Sequence, residues 1–185
     1  MSDASRRLFL LQGARLSAAI GGATLAHHAI AGPTYPFSLG VASGSPLPDS
    51  VILWTRVLAD PLDAAPPSAL ALAVRWEVAE DEAFRRIAAQ GTASAVPALA
   101  HSVHVDVKGL RPDRWYWYRF MLGDAVSPVG RTRTAPQADA QPQRLRMAVA
   151  SCQHWEFGSY GAHRHIAASA PDLVAFLGDY IYEWG

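Results

Sequence analysis

The chain has 185 residues, half of them hydrophobic, which is enough for one well-formed core and part of a second. Sixteen basic residues offset sixteen acidic ones, and no run of like charge marks a nucleic-acid-binding patch or an electrostatic hold on anionic lipid. The single cysteine, Cys152, excludes an intramolecular disulfide and leaves its thiol as a structural group, a reactive group or a ligand.

At the N-terminus, Ser5-Arg6-Arg7-Leu8-Phe9-Leu10 precedes a short apolar stretch from Leu16 to Ala26, and Ala29-Ile30-Ala31 supplies small residues for cleavage. The pattern resembles a twin-arginine export signal over residues 1–31, removed after Ala31. Its apolar stretch is shorter than the ~20 residues a spanning helix requires, so no stable membrane span is expected. The resemblance implies the twin-arginine translocation machinery as a partner and a periplasmic or secreted destination. An amphipathic N-terminal helix or an uncleaved anchor is the alternative reading.

Residues 35–134 break into short β-like runs separated by turn residues, the rhythm of an all-β sandwich. The runs are 37–41, 51–57, 70–78, 84–89, 102–108, 115–122 and 129–134. In the fifth, Val103, Val105 and Val107 alternate with His104, Asp106 and Lys108, so the valines face a core and His104 faces water. Leu110, Pro112 and Tyr116 stand at the spacing of a tyrosine corner in fibronectin- or immunoglobulin-like domains. Trp115 and Trp117 share the face opposite Tyr116, Tyr118 and Phe120. Strand aromatics of this kind pack between sheets or, alternatively, form a platform for sugars or bases.

Residues 135–143 have linker composition, with two prolines and no apolar period. After them Leu145, Met147 and Val149 open a strand that ends at Cys152, residues 158–168 suit a helix, and Pro171 stops it. Residues 173–177 then read as a second, fully buried strand. Strand, helix and strand make a βαβ unit with parallel strands. Cys152 and Asp179 then lie just past the carboxyl ends of two neighbouring strands, where open α/β sheets bind ligands. Adjacent strands are ~4.8 Å apart, so one ion can bridge the two residues. An aspartate closing so apolar a run also calls for a cation.

Gly178-Asp179-Tyr180-Ile181-Tyr182-Glu183, with Ala150-Ser151-Cys152-Gln153 before it, resembles the alkaline phosphatase D family of secreted PhoD-like phosphoesterases. The order of export signal, sandwich, linker and βαβ unit extends that resemblance along nearly all of the chain. It implies a fibronectin/immunoglobulin-like sandwich followed by the first βαβ unit of a calcineurin-like metallophosphoesterase domain, residues 144–185, truncated at Gly185. It also implies Fe3+ and Ca2+ as cofactors, with Cys152, Asp179 and Tyr182 as metal ligands and Asp179 shared between the two ions. Phosphate mono- or diesters are the substrates it implies, hydrolysed by a metal-bound hydroxide or oxo group. No catalytic residue beyond the metal ligands is identified, and the 185-residue chain alone is expected to be inactive.

A phenol loses its proton at neutral pH only beside a strong positive charge, so Tyr182 as a ligand favours a trivalent ion over zinc alone. Taken singly, Cys152 reads as a buried structural thiol, Tyr182 as a packing residue and Asp179 as a helix cap. His154, His163 and His165 lie nearby but are left outside the ligand set. Two other classes compete: an exported sandwich that binds a cell-wall polymer or sugar through Trp115 and Trp117, and an enzyme like the purple acid phosphatases. The latter expects an aspartate where Cys152 stands.

Overall fold

The computed structural model describes residues 35–58, 69–154 and 156–182. Residues 1–31, where an export signal is expected, and Glu183 lie outside them. The order is β1 (Val41–Gly44), β2 (Ser50–Arg56), β3 (Leu72–Ala79), β4 (Ile87–Ala95), β5 (Ser102–Lys108), β6 (Trp115–Leu122), β7 (Ala125–Val126), β8 (Gly130–Arg133), β9 (Met147–Ala150), α1 (Gly161–Ser169) and β10 (Leu173–Phe176). The described chain is thus mostly β. None of its helices is long and apolar enough to cross a membrane.

Two antiparallel sheets share one core. The first runs β1-β2-β5, and the second runs β4-β3-β6 with β7 and β8 both paired to the far side of β6. Period-two alternation sets which residues meet. Val51, Leu53 and Thr55 on β2 stand opposite Val107, Val105 and Val103 on β5, and all six are buried. From the other sheet Val74, Val78, Tyr116, Tyr118 and Phe120 enter the same core. His104, between two buried valines, is exposed as its register demands.

The corner before β6 closes as its sequence predicts. The Arg111 amide donates to the Tyr116 hydroxyl at 2.9 Å, and Thr134 donates to the Arg111 carbonyl at 2.7 Å. The half-buried amide and carbonyl of Arg111 thereby find partners without a ladder.

Two strands begin later than their apolar runs suggest. Phe37 is buried, but Gly40 takes a left-handed turn (φ +72°) and pairing starts only at Val41. Similarly, Asp81 accepts from the amides of Arg85 and Arg86 at 3.2 and 2.9 Å, which fixes a turn through Phe84 (φ 54°) and delays β4 to Ile87. β4 then continues to Ala95 through alanine, glycine, serine and threonine, small residues with no apolar alternation to announce a strand. Gly91 is needed there because a Cβ would come within 2.6 Å of the Trp76 ring.

Beyond residues 135–146, β9 and β10 pair in parallel, Met147 to Leu173 through Ala150 to Phe176. α1 connects them. It ends where Ala170 turns left-handed and Pro171 denies continuation. The expected full burial of residues 173–177 is not found: Phe176 is 44% exposed and Leu177 70% exposed. A parallel strand is buried when both faces are covered, and among the described residues α1 is the one helix beside this pair. The described residues from Tyr35 onward belong to one compact unit, in which Arg133 on β8 forms ion pairs with both Asp113 and Asp172.

Candidate functional site

β9 and β10 run side by side in one direction, so the loops that follow them leave from the same end of the sheet. The Cys152 amide donates to the Asp179 carbonyl at 2.8 Å, and the Tyr182 amide donates to the Gln153 carbonyl at 2.7 Å. Backbone bonds therefore lace the two loops together, extended by a parallel bridge between His154 and Tyr182. Cys152 and Asp179 both take left-handed conformations (φ 57° and 43°), which is uncommon outside glycine and strained for a cysteine. Such outliers gather where the surrounding structure holds a functional group in place.

The side chains converge as well. Cys152 Sγ lies 3.9 Å from Asp179 Oδ2, and the Tyr182 hydroxyl is hydrogen-bonded to the side chains of both Asp179 and Cys152. Its bond to Asp179 is the main reason the phenol's pKa is raised above its ordinary value, with desolvation and the Cys152 contact adding to it. Donors each ~2.0–2.3 Å from a shared ion can lie as far apart as the thiol and carboxylate do here. Three groups able to carry negative charge thus meet around shared protons, which a bound metal would displace. Cys152 and Asp179 are exposed, so an ion can reach them.

Cys152 is therefore not a buried structural thiol, and among the described residues no helix follows Asp179 for it to cap. Among the described residues no group of three or more His, Cys, Asp and Glu side chains is arranged to hold a metal ion. The set reaches three donors only with the Tyr182 phenol. Of the neighbouring histidines, His163 projects from α1 to the Gln153 side chain and lies over Phe176, with ring centroids 6.1 Å apart. His154 stacks on Phe157 at 4.3 Å. His154, His163, Gln153 and Cys152 line one cavity of about 610 Å³, completed by Phe176 and Tyr180, whose rings meet edge to face at 4.8 Å. Sequence reasoning set His163 aside. Its contact with Gln153 joins residues ten apart in sequence across the βαβ unit, which no local pattern marks.

Trp115 and Trp117 point away from the core, as alternation predicts. Arg131 covers the Trp115 ring at 4.2 Å and Arg133 approaches it at 5.5 Å. A ring face occupied by a guanidinium is not open for a sugar to stack on.

Comparison with known proteins adds the following. Residues 23–136 match the family model of the PhoD-like phosphatase N-terminal domain, and residues 147–185 match that of the PhoD-like phosphatase. The chain is 53% identical over 152 residues to alkaline phosphatase D of Bacillus subtilis (strain 168), a match covering 82% of this chain and 26% of the relative. A solved structure described as that of PhoD superposes with a TM-score of 0.80 at 52% identity, over 83% of this chain and 30% of that one. The chain thus spans about a quarter of the length of the curated relative it matches.

Proposed function

Because the chain belongs to the PhoD-like phosphatase family, we propose that it forms part of an exported, metal-dependent phosphoric ester hydrolase in which Cys152, Asp179 and Tyr182 hold a metal ion. The observation that carries this reading is the convergence of thiol, carboxylate and phenol on two strand-end loops tied by the Cys152 amide and Asp179 carbonyl. The same placement past the carboxyl ends of parallel strands is where open α/β sheets hold ligands. Cys152 in place of an aspartate also sets the site apart from the purple-acid-phosphatase alternative.

A ferric ion suits a donor set of thiolate, carboxylate and phenolate, since a trivalent charge is what draws the proton from a phenol at neutral pH. Asp179 has two carboxylate oxygens and can face a second cation, calcium. When bound, the metal supplies Lewis acidity toward the phosphoryl oxygens of a phosphate mono- or diester. The chain's own residues do the rest. Gln153 orients His163 toward the cavity, and the Phe176 and Tyr180 rings wall it on one side. In this reading residues 35–134 are a fibronectin-like sandwich that supports the site, residues 135–143 a linker, and residues 144–185 the opening βαβ unit of the phosphoesterase domain. Residues 1–31 direct export through the twin-arginine pathway.

The test is metal retention. Elemental analysis after loading with ferric iron and desalting should find iron bound to the chain, with a visible phenolate-to-iron absorption band. Tyr182→Phe should abolish the band and Cys152→Ser should lower retention. Iron bound equally well by both variants rejects this ligand set. In the whole protein, the same substitutions should lower metal-dependent hydrolysis of a nitrophenyl phosphate diester.

A further inference from the structure

Away from the candidate metal centre, a second cavity of about 580 Å³ opens between β8 and the segment leading into β9. Four arginines line it: Arg131, Arg133, Arg144 and Arg146. Arg131 and Arg133 are two residues apart on β8, ~7 Å along the strand, and can lean to the same side; Arg144 and Arg146 face the cavity from the segment before β9. The sequence has no run of basic residues here; pairing the two segments across the cavity is what gathers the charge.

Only two acidic residues, Asp113 and Asp172, share the lining, and Arg133 takes both. Asp172 also accepts from the Arg146 backbone amide at 2.8 Å, and the Arg146 charge acts on it without a direct ion pair. Among the described residues Arg131, Arg144 and Arg146 have no carboxylate partner within ion-pairing distance. Arg131 is nevertheless held in orientation, its guanidinium lying over Trp115 at 4.2 Å. An oriented planar guanidinium with free N–H groups is the group best matched to phosphate oxygens. Four positive charges against two negative ones leave the cavity net cationic.

We propose that this cavity binds an anion bearing two or more phosphate groups, through Arg131, Arg144 and Arg146, independently of the metal centre. Arg133 is the structural member, since it holds β8 to the head of β10. A multiply charged anion is favoured over a single phosphate because the guanidinium groups come from two segments and a chain of phosphates offers oxygens to each.

The experiment is calorimetric titration of the 185-residue chain with tripolyphosphate in EDTA, with sulfate as the comparison ion. Tripolyphosphate should bind more tightly than sulfate, and binding should weaken as salt rises. The double variant Arg131→Glu with Arg144→Glu should lose about tenfold or more in affinity while its melting temperature stays that of the parent. Arg146→Ala should lose affinity too. Cys152→Ser with Asp179→Asn should bind as the parent does. Three results would overturn the proposal: no tripolyphosphate binding at low salt, equal binding by the arginine double variant, or loss of binding in the cysteine–aspartate variant. The last would place the anion at the candidate metal centre. Because EDTA removes metal, the outcome is independent of whether that centre binds iron.

Discussion

Arg133, at the end of β8, pairs with the carboxylate of Asp172, the residue immediately before β10. Asp172 in turn accepts from the Arg146 amide and donates its own amide to the Arg146 carbonyl, both at 2.8 Å. One guanidinium thus joins the larger sheet to the near ends of β9 and β10, whose far ends carry Cys152 and Asp179. Arg133→Ala should destabilise the chain by about 1–3 kcal/mol, the range for losing hydrogen bonds to a charged group. Hydrogen exchange will locate the effect: amides of β9 and β10 should exchange faster while those of β2 and β5 do not.

The same carboxylate sets a pH dependence. The Arg146 amide, and then the charge of Arg133, hold Asp172 below the ordinary carboxylate range. A depressed carboxylate contributes stability that is present above its unfolded pKa of ~3.9 and is lost as pH falls through the lower folded value. Melting temperature should therefore drop on acidification below about pH 4, and Asp172→Asn should remove part of that slope. An unchanged slope in the variant would exclude Asp172 as its source.

Tyr118 acts at the other end of the scale. Burial pushes its pKa up to about 12, opposed only in part by a hydrogen bond with Ser43. Because the folded value is raised, the contribution is intact below the unfolded pKa of ~10 and is lost as pH climbs through the folded one. Circular dichroism melts from pH ~9 upward should show the parent weakening across that window, and Tyr118→Phe weakening less. At neutral pH the variant should cost only about 1 kcal/mol, for the lost hydrogen bond.

Gly130 on β8 has no room for a side chain, because a Cβ there would enter the Tyr118 ring. Gly130→Ala should cost about 1–3 kcal/mol in urea unfolding, the usual range for overpacking a filled core. Gly44→Ala is the control: nothing lies within 4 Å of the added carbon, and its effect should stay within about 0.5 kcal/mol.

At the candidate metal centre, removing the Asp179 charge should release Tyr182. Its raised pKa comes first from the hydrogen bond to Asp179, so Asp179→Asn should bring one tyrosine back toward ~10 in an ultraviolet difference titration of the metal-free chain. No change in the titration curve would show that the phenol and carboxylate do not meet in solution.

Much of this was readable where physics writes a period into the chain. Alternating valines announced β5, and the Leu110, Pro112 and Tyr116 spacing announced the corner. An apolar run after Pro171 announced β10, and the parallel pairing of β9 with β10 followed from the helix between them. β4 was missed in length because strand pairing through alanine, glycine and serine leaves no hydropathic trace. Exposure of β10 was missed because an apolar run reports an affinity for burial, not what is present to cover it. The contact of His163 with Gln153, and the gathering of Arg131 and Arg133 with Arg144 and Arg146, depend on tertiary approach alone. No local pattern encodes them.

The bond from the Cys152 amide to the Asp179 carbonyl belongs to the main chain and is indifferent to what either side chain is. The frame of the centre and its chemistry can therefore vary separately. A thiol exchanged for a carboxylate, or a phenol for an imidazole, would inherit the same two anchored loops. Over evolutionary time or in the hands of a designer, this bend pair is a socket whose metal preference can be rewritten one donor at a time without refolding the sheet beneath it.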